Sequence, residues 1–596
     1  MVFNPENAVR VLPTVVLAAA SWGLAWLATG STAARDWLPY AFLAALVLAA
    51  ALVGGTAVRP RRRELAALAA LVALAGWEAL SIVWSAVPDL ARDEALLTIF
   101  YGIALLVPLV TLRTASERLL ALAAVGAAAA ILAVGAGIVL RFGSNQFDHF
   151  YSGRLSFPIS YWNAQAAVFL VGFWPAVVLA AQRGRGLLAR ALALGAATAI
   201  ASGWLTAQSK GGIVALAASA AVLFALSPLR LRLLPPTLIA AGLTAAAYRP
   251  LTAPFRSESV PDVRHAGSAI LILTALGAVA GLIYALADRR LELGPRAVRN
   301  AGGGVIVVFV AAVAAGVAVF FARVYHQGWF GDQWHAFKRY QSTTASSHLL
   351  QLGSYRYDIW RVALHEFEHH PLAGIGSRGF GPAYLEERHS PDTPARAHSV
   401  ELDALSELGI VGFVVLACAL VLALAPLVSR LRGRDAVATA AFAGAVYWLV
   451  HASVDWIWTV PACGLPFWLL VGAGGSGGER RQLGSRAALP AAALAVALAV
   501  IAFVPPWLSA RLTDHRDFRW AKRLDPLSVD PYVAQDSVAA LEQAVRKQPR
   551  VVELRFDLGQ AYLRAGKRAN ARAAFEQARR LDPRDPRIAE ALKSSP

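Results

Sequence analysis

Long apolar runs separated by short polar connections make up most of this chain. A helix needs roughly 20 apolar residues to cross a bilayer. Fifteen intervals meet or approach that pattern: 11–30, 38–58, 65–84, 95–112, 118–140, 162–181, 190–207, 211–228, 234–248, 268–287, 301–322, 403–428, 435–454, 457–475 and 487–508. Several are short or interrupted by Gly and Pro. One polar interval, 323–402, is far longer than the rest and holds His335, His365, His369, His370, His389 and His398. Such an interval reads as a solvent-side loop, where an enzyme working at a membrane surface keeps its chemistry. Beyond residue 510 the pattern changes to charged, amphipathic helix punctuated by Leu-Asp-Pro at 524–526 and 581–583. The expected organisation is a multi-span domain over 1–510 and a small helical domain over 511–596.

Composition narrows the class. With 57% hydrophobic and 16% charged residues among 596, an ordinary soluble globular protein is excluded, leaving an all-α polytopic membrane protein of about 12–15 transmembrane helices. The net charge of +18 does not mark a nucleic-acid binder, because most arginines fall in short connections between apolar runs. Arg59, Arg61, Arg62, Arg63, Arg113, Arg118, Arg183, Arg185, Arg230, Arg232, Arg289, Arg290, Arg296, Arg299, Arg430, Arg432, Arg434, Arg480 and Arg481 all lie in alternate connections. Short cytoplasmic loops collect Lys and Arg, which puts the N-terminus inside and both the 323–402 loop and the tail outside. Cys418 and Cys463 sit in apolar runs, so neither a disulfide framework nor a cysteine metal site is indicated. The first apolar run reads as a retained helix.

The tail reads Leu558-Gly559-Gln560-Ala561-Tyr562 and then Ala571, Phe575 and Ala578, with small and large residues placed as in a tetratricopeptide repeat. Residues 536–549 supply a helix of a preceding, degenerate copy. A tail of this kind binds a protein partner or positions an acceptor.

Four polar features could carry chemistry. Arg154, in Gly153-Arg154-Leu155-Ser156-Phe157-Pro158 before Tyr161-Trp162-Asn163, reads by itself as an interfacial arginine beside aromatic anchors. Gln208-Ser209-Lys210-Gly211-Gly212 reads by itself as a tight turn between helices. In the large loop, an amphipathic helix opens near Tyr355-Arg356 and stops at His370-Pro371, where Gly374 and Gly376 can let backbone approach a ligand closely. His365-Glu366-Phe367-Glu368-His369 fits H-E-x-x-H, but a zinc protease also needs a third ligand, for which Glu386 or Glu387 is available, and an open cleft. A solvated helix face explains that string more simply.

Taken in order, these pieces resemble the O-antigen ligase and polymerase superfamily of bacterial membrane glycosyltransferases. The resemblance rests on Ser81-Ile82-Val83-Trp84-Ser85, Arg154 before Asn163, and Ser209-Lys210-Gly211-Gly212. It continues through Arg356 with Trp360, Pro371 to Gly376, His398-Ser399 with Glu407, Gly409 and Gly412, and His451 with Asp455 and Pro461. Lys210 stands where the superfamily usually has arginine, and Ser399 where asparagine is common. The resemblance implies a GT-C-like helical fold in the bacterial cytoplasmic membrane and a polyprenyl-diphosphate-linked glycan as donor. It also implies a glycan, lipid or protein acceptor and no cofactor. On that basis His398 is the expected base, Arg154, Arg356 and Lys210 the diphosphate ligands, and Glu407, His451 and Asp455 supporting groups. Two arginines can clamp a diphosphate bidentately and one histidine can deprotonate an acceptor hydroxyl. The outside loops lack an Asp-x-Asp pair, so no metal is expected. A repeat polymerase of the same superfamily and a membrane transporter, of bicarbonate type or of a lipid-linked substrate, are the alternatives.

Overall fold

A computed structural model describes residues 5–257, 259–290, 329–338 and 355–594, with isolated positions at 304, 318 and 322. Ten described helices are long and apolar enough to cross a membrane, and Lys210–Leu226, Ala436–Ala452 and Pro461–Gly475 are shorter apolar ones. Each expected span outside 301–322 coincides with helix, and that interval lies almost wholly outside the described residues. The all-α polytopic class is therefore as the apolar pattern requires. The 162–181 span is broken: Trp162–Leu170 and Phe173–Ala181 are separate helices. Gly172 lies at the break, and a Cβ there would come within 2.6 Å of Ala129 Cβ.

Polar caps place the helix ends. Thr114 and Glu117 form a reciprocal capping box for Ala115–Phe142. Asp435 accepts from Val437 and Ala438 N–H at 3.0 Å to start Ala436–Ala452. Ser399 Oγ accepts from Leu402 N–H at 3.3 Å to start Val400–Leu431. Serine and asparagine cap equally well, which accounts for Ser399 at a position where asparagine is common.

The arginine-rich connections meet at one end of the bundle. Arg118 reaches Asp435 at 2.5 Å, Arg480 reaches Glu64 at 2.7 Å, and Arg430 donates to Gly477 O at 2.6 Å. Helix Val400–Leu431 runs from His398 to this end, so the large loop sits at the other.

That helix is not continuous. Gly409, at φ 65° and ψ −168°, divides it. The carbonyls of Ser406, Glu407 and Leu408 are released and take N–H donors from Ile375 (3.0 Å), Gly376 (2.8 Å) and Trp77 Nε1 (3.0 Å). Gly374 and Gly376 are thus glycine for a different reason from the one expected. Both have positive φ, and a Cβ on them would lie 2.3 Å from Glu407 C and 2.5 Å from Ser85 Cα. They admit this chain's own backbone, not a ligand. The Ser81–Ser85 motif completes the joint: Ser377 N–H donates to Ser81 Oγ at 3.0 Å, and Ser85 Oγ donates to Ser377 O at 2.9 Å.

The last apolar helix, Ser485–Asp514, continues past residue 510 into the tail. In the tail, Val552–Arg564 packs on Arg568–Leu581, with Gly559 against the Phe575 ring and Ala571 and Ala578 fully buried. Helix Val538–Lys547 precedes them, at the position expected for the degenerate copy. The tail docks on the membrane domain's loop end. Leu385 packs against its core, Gln548 Nε2 donates to Asp89 at 2.6 Å, and Arg92 pairs with Asp525 at 2.5 Å.

Candidate functional site

Asp455 is the centre of a buried polar cluster at the loop end. Helix Ala436–Ala452 stops just before it, so its carboxylate sits in a turn and collects donors from three separate segments. Tyr161 OH donates at 2.7 Å, Asn163 Nδ2 at 2.6 Å, Arg356 Nη2 at 2.9 Å and Trp456 N–H at 2.9 Å. Burial alone would raise this carboxyl; Arg356, His398, His451 and the Tyr161 hydrogen bond outweigh it and hold the group below its ordinary value. Burial and the neighbouring Asp455 push Tyr161 well up, so it stays a neutral donor.

Arg154 is 4% exposed, which removes the reading of a surface anchor. Its Nε and Nη2 donate to Ala207 O (3.1 Å), Gln208 O (3.2 Å) and Asn163 Oδ1 (3.0 Å), and its guanidinium lies 4.6 Å from the Trp162 ring centre. Ala207 and Gln208 end helix Leu187–Ala207, and Gln208 is left-handed at φ 52°. Arg154 therefore caps free carbonyls at that helix end. Ser209 then starts the next helix by accepting from Gly212 N–H at 3.2 Å, so the 208–212 segment is the tight turn expected. Burial lowers Arg154 to about 9, with Tyr161 and Asp455 pulling it up and Arg356 pushing it down; it remains charged at neutral pH.

Lys210 heads its helix within electrostatic reach of both Arg154 and Arg356. His451 is fully buried beneath the turn, with Nδ1 3.0 Å from Tyr447 OH and Nε2 3.4 Å from Ser209 Oγ. It supports the turn from below, and a Cβ on Gly211 would lie 3.0 Å from its ring.

His398 faces the cluster from the other side. Its ring lies edge-on to Trp456 at 6.3 Å, and Trp456 in turn stacks on Tyr161 at 4.8 Å. Its Nδ1 is 3.0 Å from Arg396 O. A carbonyl can only accept, so Nδ1 carries the proton and Nε2 is the basic nitrogen. Burial lowers its pKa, Asp455 opposes, Arg356 adds to the lowering, and the net is below the ordinary imidazole value.

Arg154, Lys210, Arg356, His398, His451 and Asp455 are thus brought together. Glu407 is not. It accepts from Arg378 N–H (2.8 Å), Phe380 N–H (3.3 Å) and Arg396 Nη1 (3.3 Å), in a separate knot with Glu94. It reaches the cluster only through Arg396, whose carbonyl orients His398. Tyr161 stood out in the sequence only as an aromatic anchor, and its donation to Asp455 lies across 294 residues of chain.

The H-E-x-x-H string lies elsewhere. His365 Nδ1 is 2.8 Å from Glu387, while His369 Nδ1 bonds to its own helix at His365 O. The residues that converge are His365, Glu366 and Glu387, which is not the two-histidine pattern of a zinc protease.

An O-antigen ligase family model matches residues 195–417, and a tetratricopeptide repeat model matches 534–594. Residues 195–417 are thus similar to the O-antigen ligase family. The matched stretch contains Lys210, Arg356, His398 and Glu407; Arg154, His451 and Asp455 lie outside it and join the site through space. No curated protein matches the chain.

Proposed function

We propose that this chain transfers a glycan from a polyprenyl-diphosphate donor to an acceptor hydroxyl at the outer face of the bacterial cytoplasmic membrane. The observation that carries the reading is the gathering of two arginines, a lysine and a histidine around the Asp455 turn, with Arg356 paired to Asp455 and Lys210 within reach of both arginines. A lipid diphosphate is its own good leaving group. The protein must neutralise its charge and remove a proton from the acceptor. Arg154, Arg356 and Lys210 supply cations from three segments, and Asp455 holds Arg356 in place. His398 Nε2 takes the acceptor proton as the new glycosidic bond forms and the bond to the diphosphate breaks. The diphosphate departs with the electron pair, held by the guanidinium groups. Attack from the side opposite the leaving group inverts the anomeric centre.

No step in this scheme calls on a metal. The cluster also draws its residues from loops and helix ends, as chemistry at a membrane surface requires and a mid-membrane cargo site does not, which favours transfer.

The test is purified protein in lipid vesicles with a polyprenyl-diphosphate oligosaccharide and a panel of hydroxyl acceptors. Joined product with release of polyprenyl diphosphate, unaffected by chelators, is expected. Movement of the donor across the bilayer without bond cleavage would overturn the reading. Addition of repeat units to a growing glycan, in place of one transfer to a finished acceptor, would make the chain a polymerase.

A further inference from the structure

The tail contributes no side chain to the Asp455 cluster among the described residues, yet it grips the loop that carries His398. Arg388 ends helix Phe380–Glu387, and its guanidinium holds the Asp582 carboxylate with Nη2–O distances of 3.0 and 2.9 Å and Nε at 3.1 Å. Both side chains are deeply buried, at 5% and 4% exposure. The remaining Nη1 donates to Pro391 O at 3.0 Å and Asp392 O at 3.3 Å, with Ser390 O at 3.5 Å, so one guanidinium joins the tail to the turn leading to His398. That turn is also fixed from the far side. Asp358 accepts from the N–H of His389 (2.7 Å) and Ser390 (3.0 Å), and Asp358 lies two residues from Arg356 on the same helix.

We propose that the tail is a brace for the catalytic loop, with Arg388 and Asp582 as positioning residues that hold His398 and Arg356 in register through the 389–392 turn. This rests on the glycosyl-transfer reading for its effect on rate, but not for its effect on the loop. A paired guanidinium with no spare donor geometry is rigid, whereas a loop held only by its own turns samples other positions. Small displacements of catalytic groups cost rate steeply, up to about 10²-fold for a 1 Å misplacement.

The test uses the full-length protein in vesicles, comparing Asp582→Asn and Asp582→Glu with Glu386→Gln. Glu386 pairs with Arg550 at the same interface, but in an exposed position (30% and 53%), and serves as the control. Amide hydrogen exchange over 388–398 and transfer from a polyprenyl-diphosphate disaccharide to a small alcohol are both measured. Asp582→Asn is expected to speed exchange over 388–398 while leaving helix 187–207 unchanged, and to lower kcat about tenfold or more with little change in donor KM. Asp582→Glu should recover part of both effects, and Glu386→Gln should alter neither. Unchanged exchange over 388–398 in Asp582→Asn, or raised exchange with unaltered kcat, would overturn the brace. If the wild-type chain shows no transfer but exchange still responds, the brace of the loop stands and the transfer reading falls alone.

Discussion

His398 stands in left-handed backbone at φ 54°, immediately before the Ser399 cap of the following helix. That conformation is uncommon outside glycine and is held here by the cap and by the Nδ1 bond to Arg396 O. Replacing His398 by Ala is expected to lower transfer about 10²–10⁴-fold with donor binding kept, since a general base acts on rate and little on ground-state affinity. Titration offers a second check. Only neutral His398 is a base, and its pKa is depressed. The acid limb of kcat/KM should therefore fall below the ordinary imidazole value of about 6.5, with activity lost as pH drops through it. Asp455 raises the His398 pKa, so Asp455→Asn should move the limb lower still while reducing the rate; an upward move would contradict the assignment. Arg154→Lys and Arg356→Lys keep charge but lose the planar fork. Both should lose transfer, Arg154→Lys with added instability because lysine cannot reach Ala207 O, Gln208 O and Asn163 together.

At the scale of elements, the joint between Gly374–Ser377 and the break at Gly409 determines where the loop sits. Alanine at Gly374 brings positive-φ strain of about 1–3 kcal/mol and a Cβ that would meet Glu407 backbone at 2.3 Å. The loop should then fail to seat, with transfer lost although every polar residue of the site is intact. Gly566 is the matched comparison: its φ is +72° but nothing lies within 4 Å of an added Cβ. Gly566→Ala should cost about 1 kcal/mol and leave transfer unaltered. Thermal unfolding in detergent, read beside activity, separates the two outcomes. Removing Glu407 leaves Arg396 short of a buried partner and should destabilise by about 3–5 kcal/mol, an effect on folding more than on chemistry.

At the scale of the molecule, the arginine knots and the Asp455 cluster lie at opposite ends of the bundle, and the tail is seated at the cluster's end. Reporters fused after residue 350 and after residue 596 should therefore report the same side of the membrane, and the positive-inside bias makes that side the outer one. Opposite locations would be incompatible with Arg388 and Asp582 sharing a buried ion pair.

Much of this was written along the chain. Apolar run length determined the spans, because an isolated helix in hydrocarbon must satisfy its own backbone and needs a set number of residues to cross. Arginine placement determined which connections group together, and the small-large spacing around Gly559 and Phe575 determined the tail's helix pair. These signals are local, each depending on residues within a turn or two. The site is not local. Asp455 as its hub, Tyr161 as a donor to that hub, Arg154 as a cap on another helix and Glu407 as a brace held apart from the cluster depend on groups from about ten to nearly 300 residues apart. No periodicity encodes such meetings. Gly374 and Gly376 show the limit most plainly: the sequence allowed a close approach there, to a ligand, but only packing decided that the approaching atoms are the chain's own backbone at Glu407 and Ser85.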